Sequence, residues 1–423
     1  MFALLKRFKS VGVVFVLAMV GHLLGFGREV STAYYFGTSG IADGILVGII
    51  PLTLYASVFG TAYANAAIVH IKEPSNLQAI RNCSTPLLLL AIFTGAFFLC
   101  FAEPLVALMA PGINEQGREV AIAFVQLSSI GMALASLSFL GRGILHLEQR
   151  FARASISDLM PNLGAITGIV VLYHWLGVYG LALGALVGYF LQFWVVSNPS
   201  HFAINRRSFQ SLLSEEQKAI YRSTLMAAVS YSVVYIDVLV DRYFASQLAE
   251  GAVATMNYAQ KIMLLPLYTV IFAITTVLFP KLIALQDNPE AFHRLKRKTY
   301  GVVLGSSVAI SIFTIFAAEF IIELVFGYGQ FTQQDVQATS QVLMIYMLGL
   351  TGHAFVLMAS RVRYAMKDFR TPLIAGVVGA FVNLGLDILL VDEYGMTGLA
   401  MATTISAFVN GLILVARPYG KPV

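Results

Sequence analysis

The sequence predicts an all-α, polytopic membrane protein of twelve transmembrane helices in two six-helix lobes. Three observations carry that prediction. The chain is 58% hydrophobic and only 12% charged, where a soluble domain carries roughly 25% charge. Its apolar residues fall in runs long enough to cross hydrocarbon, which takes roughly 20 residues of helix. Its basic residues crowd into every second connection between those runs.

Read between charged or Gly/Pro-rich breaks, the spans are approximately 10–36, 43–70, 84–109, 118–146, 154–175, 178–198, 217–247, 251–285, 298–326, 333–363, 371–391 and 394–416. The first follows the basic opening "MFALLKRFK". No small-residue cleavage site follows it and the apolar run continues past Phe26, so it reads as an uncleaved span rather than a signal peptide. The second begins at Asp43, a carboxylate suited to capping a helix N-terminus. "KEPSN" precedes the third span, "PGINEQG" the fourth and "EQRFAR" the fifth; the short "GVYG" separates the fifth from the sixth. The polar "NRRSFQSLLSEEQK" leads into the seventh, "SQLAEG" into the eighth and "QDNPEAFHRLKRK" into the ninth. "GYGQFTQQD", "YAMKDFRTP" and "VDEYGMTG" open the last three.

Orientation follows from the loops. The N-terminus, the C-terminus and the connections after spans two, four, six, eight and ten hold 23 of the 27 Lys and Arg residues; the intervening loops hold only Arg118. The positive-inside rule then places both termini in the cytoplasm. The remaining three cations, Arg28, Arg242 and Lys261, fall inside spans or at their ends. The net charge of +5 therefore speaks for a membrane surface and not for nucleic acid, because its basic residues sit in short loops.

The halves resemble each other. "RGILHLEQRFARAS" from Arg142 is echoed by "RVRYAMKDFRTP" from Arg361, and "YGLALGALVGYF" from Tyr179 by "MTGLAMATTISAF" from Met396. Phe151 pairs with Phe369 and Gly180 with Gly398, both at a shift of 218. Residues 1–205 and 206–423 form the two lobes. Six helices per lobe make the repeat a parallel one, about an axis along the membrane normal, with substrate sites expected at the repeat interface.

Ionisable residues inside a membrane are costly and mark function by default. Here they are His22, Arg28, Glu29, Asp237, Asp241, Arg242, Lys261 and Asp387. At ~1.5 Å per residue, Asp241 lies roughly 9 Å below the outer end of the seventh span, Asp387 roughly 6 Å below that of the eleventh, and Thr403 roughly 13 Å into the twelfth. Asn383 shares a helix face with Asp387. These oxygen-bearing side chains, with a backbone carbonyl, suit a hard cation, Na⁺ or H⁺; the competing reading pairs Asp241 or Asp387 with Lys261 or Arg242. Arg28 in the first lobe and Lys261 in the second lie at depths a central cavity would reach and invite an anion such as a phosphate. Glu29 points about 100° away from Arg28 around the helix, which makes it a poor partner. A structural ion pair between helices is the alternative. His22 reads as a packed ring or a weak cation near Arg28, and Asp43 as a helix cap.

Soluble-enzyme chemistry is missing from the sequence. It has no Gly-rich loop followed by Lys and Ser/Thr and no His/Cys cluster of zinc spacing. No catalytic carboxylates gather on a large extramembrane loop. Cys83 and Cys100 have no metal or redox spacing. Asn82-Cys83-Ser84 matches a glycosylation pattern but falls on the cytoplasmic side of this reading.

The run "LLGFGREVSTAYYFGTSGIADGILVGIIP" resembles the first two helices of the MurJ (MviN) lipid II flippases of the MOP superfamily, which share their architecture with MATE exporters. The resemblance continues through "GRGILHLEQRFARASISDLMPNLGAI", "VDRYFASQLAEGAVATMNYAQKIMLLPL", "VFGYGQFT", "YAMKDFRTPL", "FVNLGLDILL" and "GLAMATTISAF", in family order over nearly the whole chain. It implies a non-enzymatic flippase of the bacterial cytoplasmic membrane. Such a protein carries an undecaprenyl-pyrophosphate-linked glycan, lipid II first, by alternating access with cation coupling. Its implied partners are the lipid-linked substrate, membrane lipids and cell-wall synthesis proteins; it implies no cofactor beyond a coupling Na⁺ or H⁺. By the resemblance Arg28, Glu29, Asp43, His22 and Lys261 are substrate-site residues. Asp241, Asn383, Asp387, Thr403 and the carbonyl of Leu399 match the family's sodium site. Three departures stand out. His22 occupies the place of a second arginine, Lys261 stands where the family has arginine, and "PLTLYASVFGT" lacks the basic residue usual there. The family's two further C-terminal helices are not among the twelve spans.

Other readings remain at this point. An exopolysaccharide or O-antigen-unit flippase, or a cation-coupled small-molecule exporter, would share the fold; an exporter would favour an acidic, aromatic cavity over Arg28 and Lys261. A membrane-embedded glycosyl- or acyltransferase would need catalytic carboxylates or histidines at a membrane face. A non-transporting scaffold would tolerate loss of both cations.

Overall fold

The computed structural model describes residues 2–71, 73–202, 205–285 and 288–416. Of the basic residues used for orientation, Lys72, Arg417 and Lys421 lie outside it, as do the side chains of Lys6, Arg7 and Lys9; the side chain of Asp237 likewise lies outside the described residues. The described chain is almost wholly helical. Its long helices are α1 (Phe2–Phe36), α2 (Gly40–His70), α3 (Leu77–Cys100), α4 (Glu115–Leu147), α5 (Phe151–Leu176), α6 (Val178–Val196), α7 (Glu215–Ser246), α8 (Ala252–Ala284), α9 (Pro289–Phe316), α10 (Gln333–Ala365) and α11 (Arg370–Ala416).

Ten of these are long and apolar enough to cross a membrane, against the twelve spans expected. Two features account for the difference. The 47-residue α11 contains both of the last two expected spans, with the helix broken at Gly395 (φ 56°, ψ −132°). The second is α7, which occupies the expected seventh span but is the long helix left out of the ten; it carries Asp237, Asp241 and Arg242. Several expected ends also move. The second span starts at Gly40, so Asp43 sits inside the first helical turn and not at the cap. There its carboxylate still meets the positive end of the helix dipole.

By internal packing the chain forms two compact units, Met1–Tyr35 with Gly40–Tyr235, and Phe36–Ser39 with Ile236–Val423. The division falls within α7, whereas the sequence reading divides the lobes at 205/206.

In the first unit α4 is the hub against which α2, α3 and α6 pack. The α2 sequence "GIADGILVG" explains one close approach. Gly40, Gly44 and Gly48 recur every four residues, on one face. A Cβ on any of them would collide with α4 or its cap: Asn114 for Gly40, Gly117 and Val120 for Gly44, Ala121 and Phe124 for Gly48. Small residues are how helices gain packing contact in lipid, where burial of apolar surface offers no drive. Asn114 caps α4 by accepting from Gly117 N at 2.8 Å, so that side chain both ends the loop and seats α2. Arg142, expected in a loop, lies in the last turns of α4, 4.1 Å from the Phe139 ring centre and paired with Asp158.

In the second unit α10 is the hub, flanked by α8, α9 and α11. Hydroxyls tie it in: Ser311 of α9 donates to Met347 O at 2.6 Å, and Thr404 of α11 donates to Ile345 O at 3.1 Å. The buried Arg363 donates from Nε to Leu414 O at 2.8 Å, locking the end of α10 to that of α11. The turn after α1 packs in this unit: Gly37 (φ 55°) accepts from the Tyr258 hydroxyl at 3.1 Å, and Thr38 bonds Asp335 at the capping box of α10.

The internal repeat is written into the backbone. Gly177 and Gly395, 218 apart, share one unusual conformation (φ 56°, ψ −140° and φ 56°, ψ −132°). Gln149 and Lys367, also 218 apart, are the non-glycine residues with positive φ among the described residues. A Cβ on Gly180 would strike Leu172 O, and one on Gly398 would strike Leu390 O, again at the same shift. In both α2 and α8 a wider π turn begins fifteen residues past the helix start, at Tyr55 and at Leu267. π turns inside helices concentrate at functional places.

Candidate cation and anion sites

Three helical segments of the second unit meet at one polar cluster. Asp241 comes from α7, Asn383 and Asp387 from the first limb of α11, and Leu399, Thr403 and Ser406 from its second limb. The break at Gly395 turns the second limb back along the first, and the close approach of Gly398 to Leu390 O holds the two limbs together. Residues distant in sequence thereby become neighbours. Asn383 Nδ2 donates to Asp387 Oδ2 at 2.8 Å and to Asp241 Oδ1 at 3.0 Å. Ser406 Oγ donates to Asn383 Oδ1 at 3.3 Å. Thr403 Oγ1 lies 3.1 Å from Leu399 O and 3.5 Å from Asp241 Oδ2, two acceptors for one hydroxyl proton. Asn383 and Asp387 are 1% and 0% exposed.

All five residues expected at a cation site are thus brought together, Leu399 through its carbonyl. Two residues escaped sequence reasoning. Ser406 is one turn beyond Thr403, so helical spacing could have found it. The buried Tyr346 of α10 reaches the cluster beside Thr403, Asp241 and Asp387, and nothing in the sequence of α10 signals this. The donor set is all oxygen: two carboxylates, hydroxyls, an amide and a backbone carbonyl. That fits Na⁺ or a proton and not a soft metal. Two carboxylates sharing one amide in a low-dielectric setting repel each other, so positive charge is favoured there. A cavity of about 30 Å³ adjoins Asp241, lined also by Arg242, Asn257, Gln260 and Tyr346. Arg242 donates from Nη2 to Asn257 Oδ1 at 3.3 Å.

The anion-site residues are distributed between the units. In the first, Arg28 Nη2 pairs with Glu29 Oε1 at 2.5 Å, with Glu29 only 2% exposed and Arg28 28% exposed. This corrects the expectation that adjacency made Glu29 a poor partner. The 100° between their Cβ directions is spanned by the reach of the arginine stem. One of the five guanidinium donors is so engaged, which fixes the head. His22 is exposed on α1, six residues before Arg28 and not a packed ring. Asp43 is buried in the first turn of α2. In the second unit Lys261 is half-buried, in the tenth position of α8.

The chain is therefore a polytopic helical protein with the architecture of solved MOP-superfamily transporters. The MATE transporter solved in an inward-facing conformation, a multidrug resistance protein of the MOP superfamily, superposes with a TM-score of 0.76 at 17% identity, over 95% of each chain. A solved lipid II flippase MurJ in an inward closed conformation superposes with a TM-score of 0.83 at 22% identity, over 95% of this chain and 86% of that one. The family model described as lipid II flippase MurJ matches residues 32–419, and the chain belongs to that family. A probable lipid II flippase MurJ of Rhizobium meliloti (strain 1021) is 28% identical over 442 residues, 98% of this chain and 80% of the relative. The protein is thus a transporter and not an enzyme.

Proposed function

We propose that the protein flips lipid II across the bacterial cytoplasmic membrane by alternating access, with both termini in the cytoplasm. The observation that carries the reading is the family match over residues 32–419. Supporting it are two cations at membrane depth, Arg28 and Lys261, of the chemistry a diphosphate needs. A guanidinium held by Glu29 keeps donors for phosphate oxygens, while Lys261 offers a point charge without the bidentate fork. Asp43 and His22 border the same function, as the resemblance implies.

The cluster of Asp241, Asn383, Asp387, Thr403 and the Leu399 carbonyl holds the coupling cation, Na⁺ or H⁺. A bound cation screens the two carboxylates from each other. It biases transport only through a difference in affinity between conformations, and α7 and the two limbs of α11 supply that difference if they separate in one of the states. The protein works beside the enzymes that make and polymerise cell-wall precursors.

The test is replacement in a living cell. A bacterium depleted of its own lipid II flippase should grow when this chain is expressed, and should stop accumulating lipid II in the inner leaflet. Expression at the membrane without rescue, combined with rescue of a strain lacking an exopolysaccharide-unit flippase, would move the substrate to that second class of lipid-linked glycan.

A further inference from the structure

A cavity of about 690 Å³ opens where the N-terminal turns of α9 meet the far ends of α10 and α11. Its wall divides by chemistry. Arg294, Lys296 and Arg297 stand on the first turns of α9, with His293 beside them and Glu290 as the one acid. Deeper along the helices, Tyr300, Leu304, Phe355 and Val415 make an apolar floor. The Tyr300 and Phe355 rings pack with centroids 5.5 Å apart. Nearby, the Arg363–Leu414 bond joins α10 to α11, so the floor is set on tied helices.

We propose that this cavity binds an anionic phospholipid, its phosphate at the arginine rim and the start of an acyl chain over the floor. Three observations favour that occupant. Arg294 and Arg297 have no ion-pair or hydrogen-bond partner among the described residues, so their charge is left for an outside anion. From Arg294 to Leu304 the helix rises roughly 15 Å. Headgroup regions are roughly 5–8 Å thick on each side of the hydrocarbon, so one cavity reaches from headgroup depth into the acyl region. The rim lies in the basic set of connections, and basic pockets between membrane helices at the cytoplasmic side recognise anionic headgroups. This site is independent of the transported substrate, and its readout is lipid retention and not transport.

The experiment is native mass spectrometry of the whole protein in detergent, titrated with phosphatidylglycerol or phosphatidylcholine. The wild type should prefer phosphatidylglycerol by roughly tenfold or more, as two arginines near a charged headgroup supply. Arg294→Gln with Arg297→Gln should bring the two lipids within about twofold, at unchanged helicity. Leu304→Trp, which fills the floor and leaves every charge, should weaken phosphatidylglycerol binding as well. The control Arg206→Gln with Arg207→Gln, on an exposed basic stretch elsewhere, should leave the preference intact. Inorganic phosphate at millimolar concentration should not displace the lipid. The proposal is overturned if the Arg294/Arg297 variant keeps its preference, if the control loses it equally, or if free phosphate displaces phosphatidylglycerol.

Discussion

Asn383 holds the buried carboxylate of Asp387 and the half-buried one of Asp241 with one amide, and that arrangement sets the behaviour of the proposed cation site. Each N–H of the amide answers one acid, Asp387 at 2.8 Å and Asp241 at 3.0 Å. Both charges are tolerated only while something positive or donating faces them. Binding of Na⁺ should therefore stabilise the folded protein by mass action. Exchange of choline for Na⁺ should raise the melting temperature of the wild type by a few degrees, about 2.7 kcal/mol if the ion reaches 100 times its dissociation constant. Asp387→Asn should abolish that rise while melting normally in choline. A Na⁺-induced rise that survives in Asp387→Asn would place the ion elsewhere, and absence of the rise in the wild type would favour a proton. Much of this site was legible, because depth along a helix and the rarity of charge in apolar runs single out Asp241, Asn383, Asp387 and Thr403. Tyr346 was not, since a tyrosine in a membrane helix has many ordinary reasons to be there. The Arg28–Glu29 pair was misread because helix geometry gives the direction of Cβ and not the reach of a long side chain.

Glycines and one aspartate govern how the helices meet. Gly44 faces Gly117 O and Val120 with no room for a side chain. Gly44→Val should cost about 1–3 kcal/mol by overpacking, read as a lower melting temperature, whereas Gly12→Val should be silent because nothing lies within 4 Å of Gly12. Asp368 lies in the connection between α10 and α11. Burial works against its charged form, but hydrogen bonds from the Thr371 side chain and backbone, with the charge of Arg363, hold its carboxyl below the usual carboxylate range. A depressed folded value gives stability that is present above the unfolded value and fades as pH falls through the folded one. The difference in melting temperature between wild type and Asp368→Asn should thus be full at pH 6 and shrink below about pH 4. A pH-independent difference would contradict this. At this scale the apolar runs located the helices, yet the break at Gly395 was legible only as "VDEYGMTG", a weak turn signal. Its meaning, a shared positive-φ conformation with Gly177 that folds the second limb back, lies in backbone geometry that composition does not reveal.

At the scale of the whole chain, duplication explains the most with the least. Positions 218 apart repeat a positive-φ glycine, a positive-φ polar residue and a glycine seated on a carbonyl. Two echoing sequence blocks exposed the repeat because such close backbone contacts forbid other residues. The extent of the compact units was not legible, since the turn Phe36–Ser39 joins the second unit through Thr38, Gly37 and Tyr258, contacts that no local pattern marks. Each half carries a cation within a long helix, Arg28 in α1 and Lys261 in α8, and the proposed function rests on both meeting a lipid diphosphate. The most direct measurement is translocation of fluorescent lipid II in proteoliposomes. The wild type should flip it well above protein-free vesicles, and Arg28→Ala combined with Lys261→Ala should slow flipping at least roughly tenfold, as loss of charge-assisted bonds to an anion requires. Flipping by the double variant at the wild-type rate, or none by the wild type, would contradict the account.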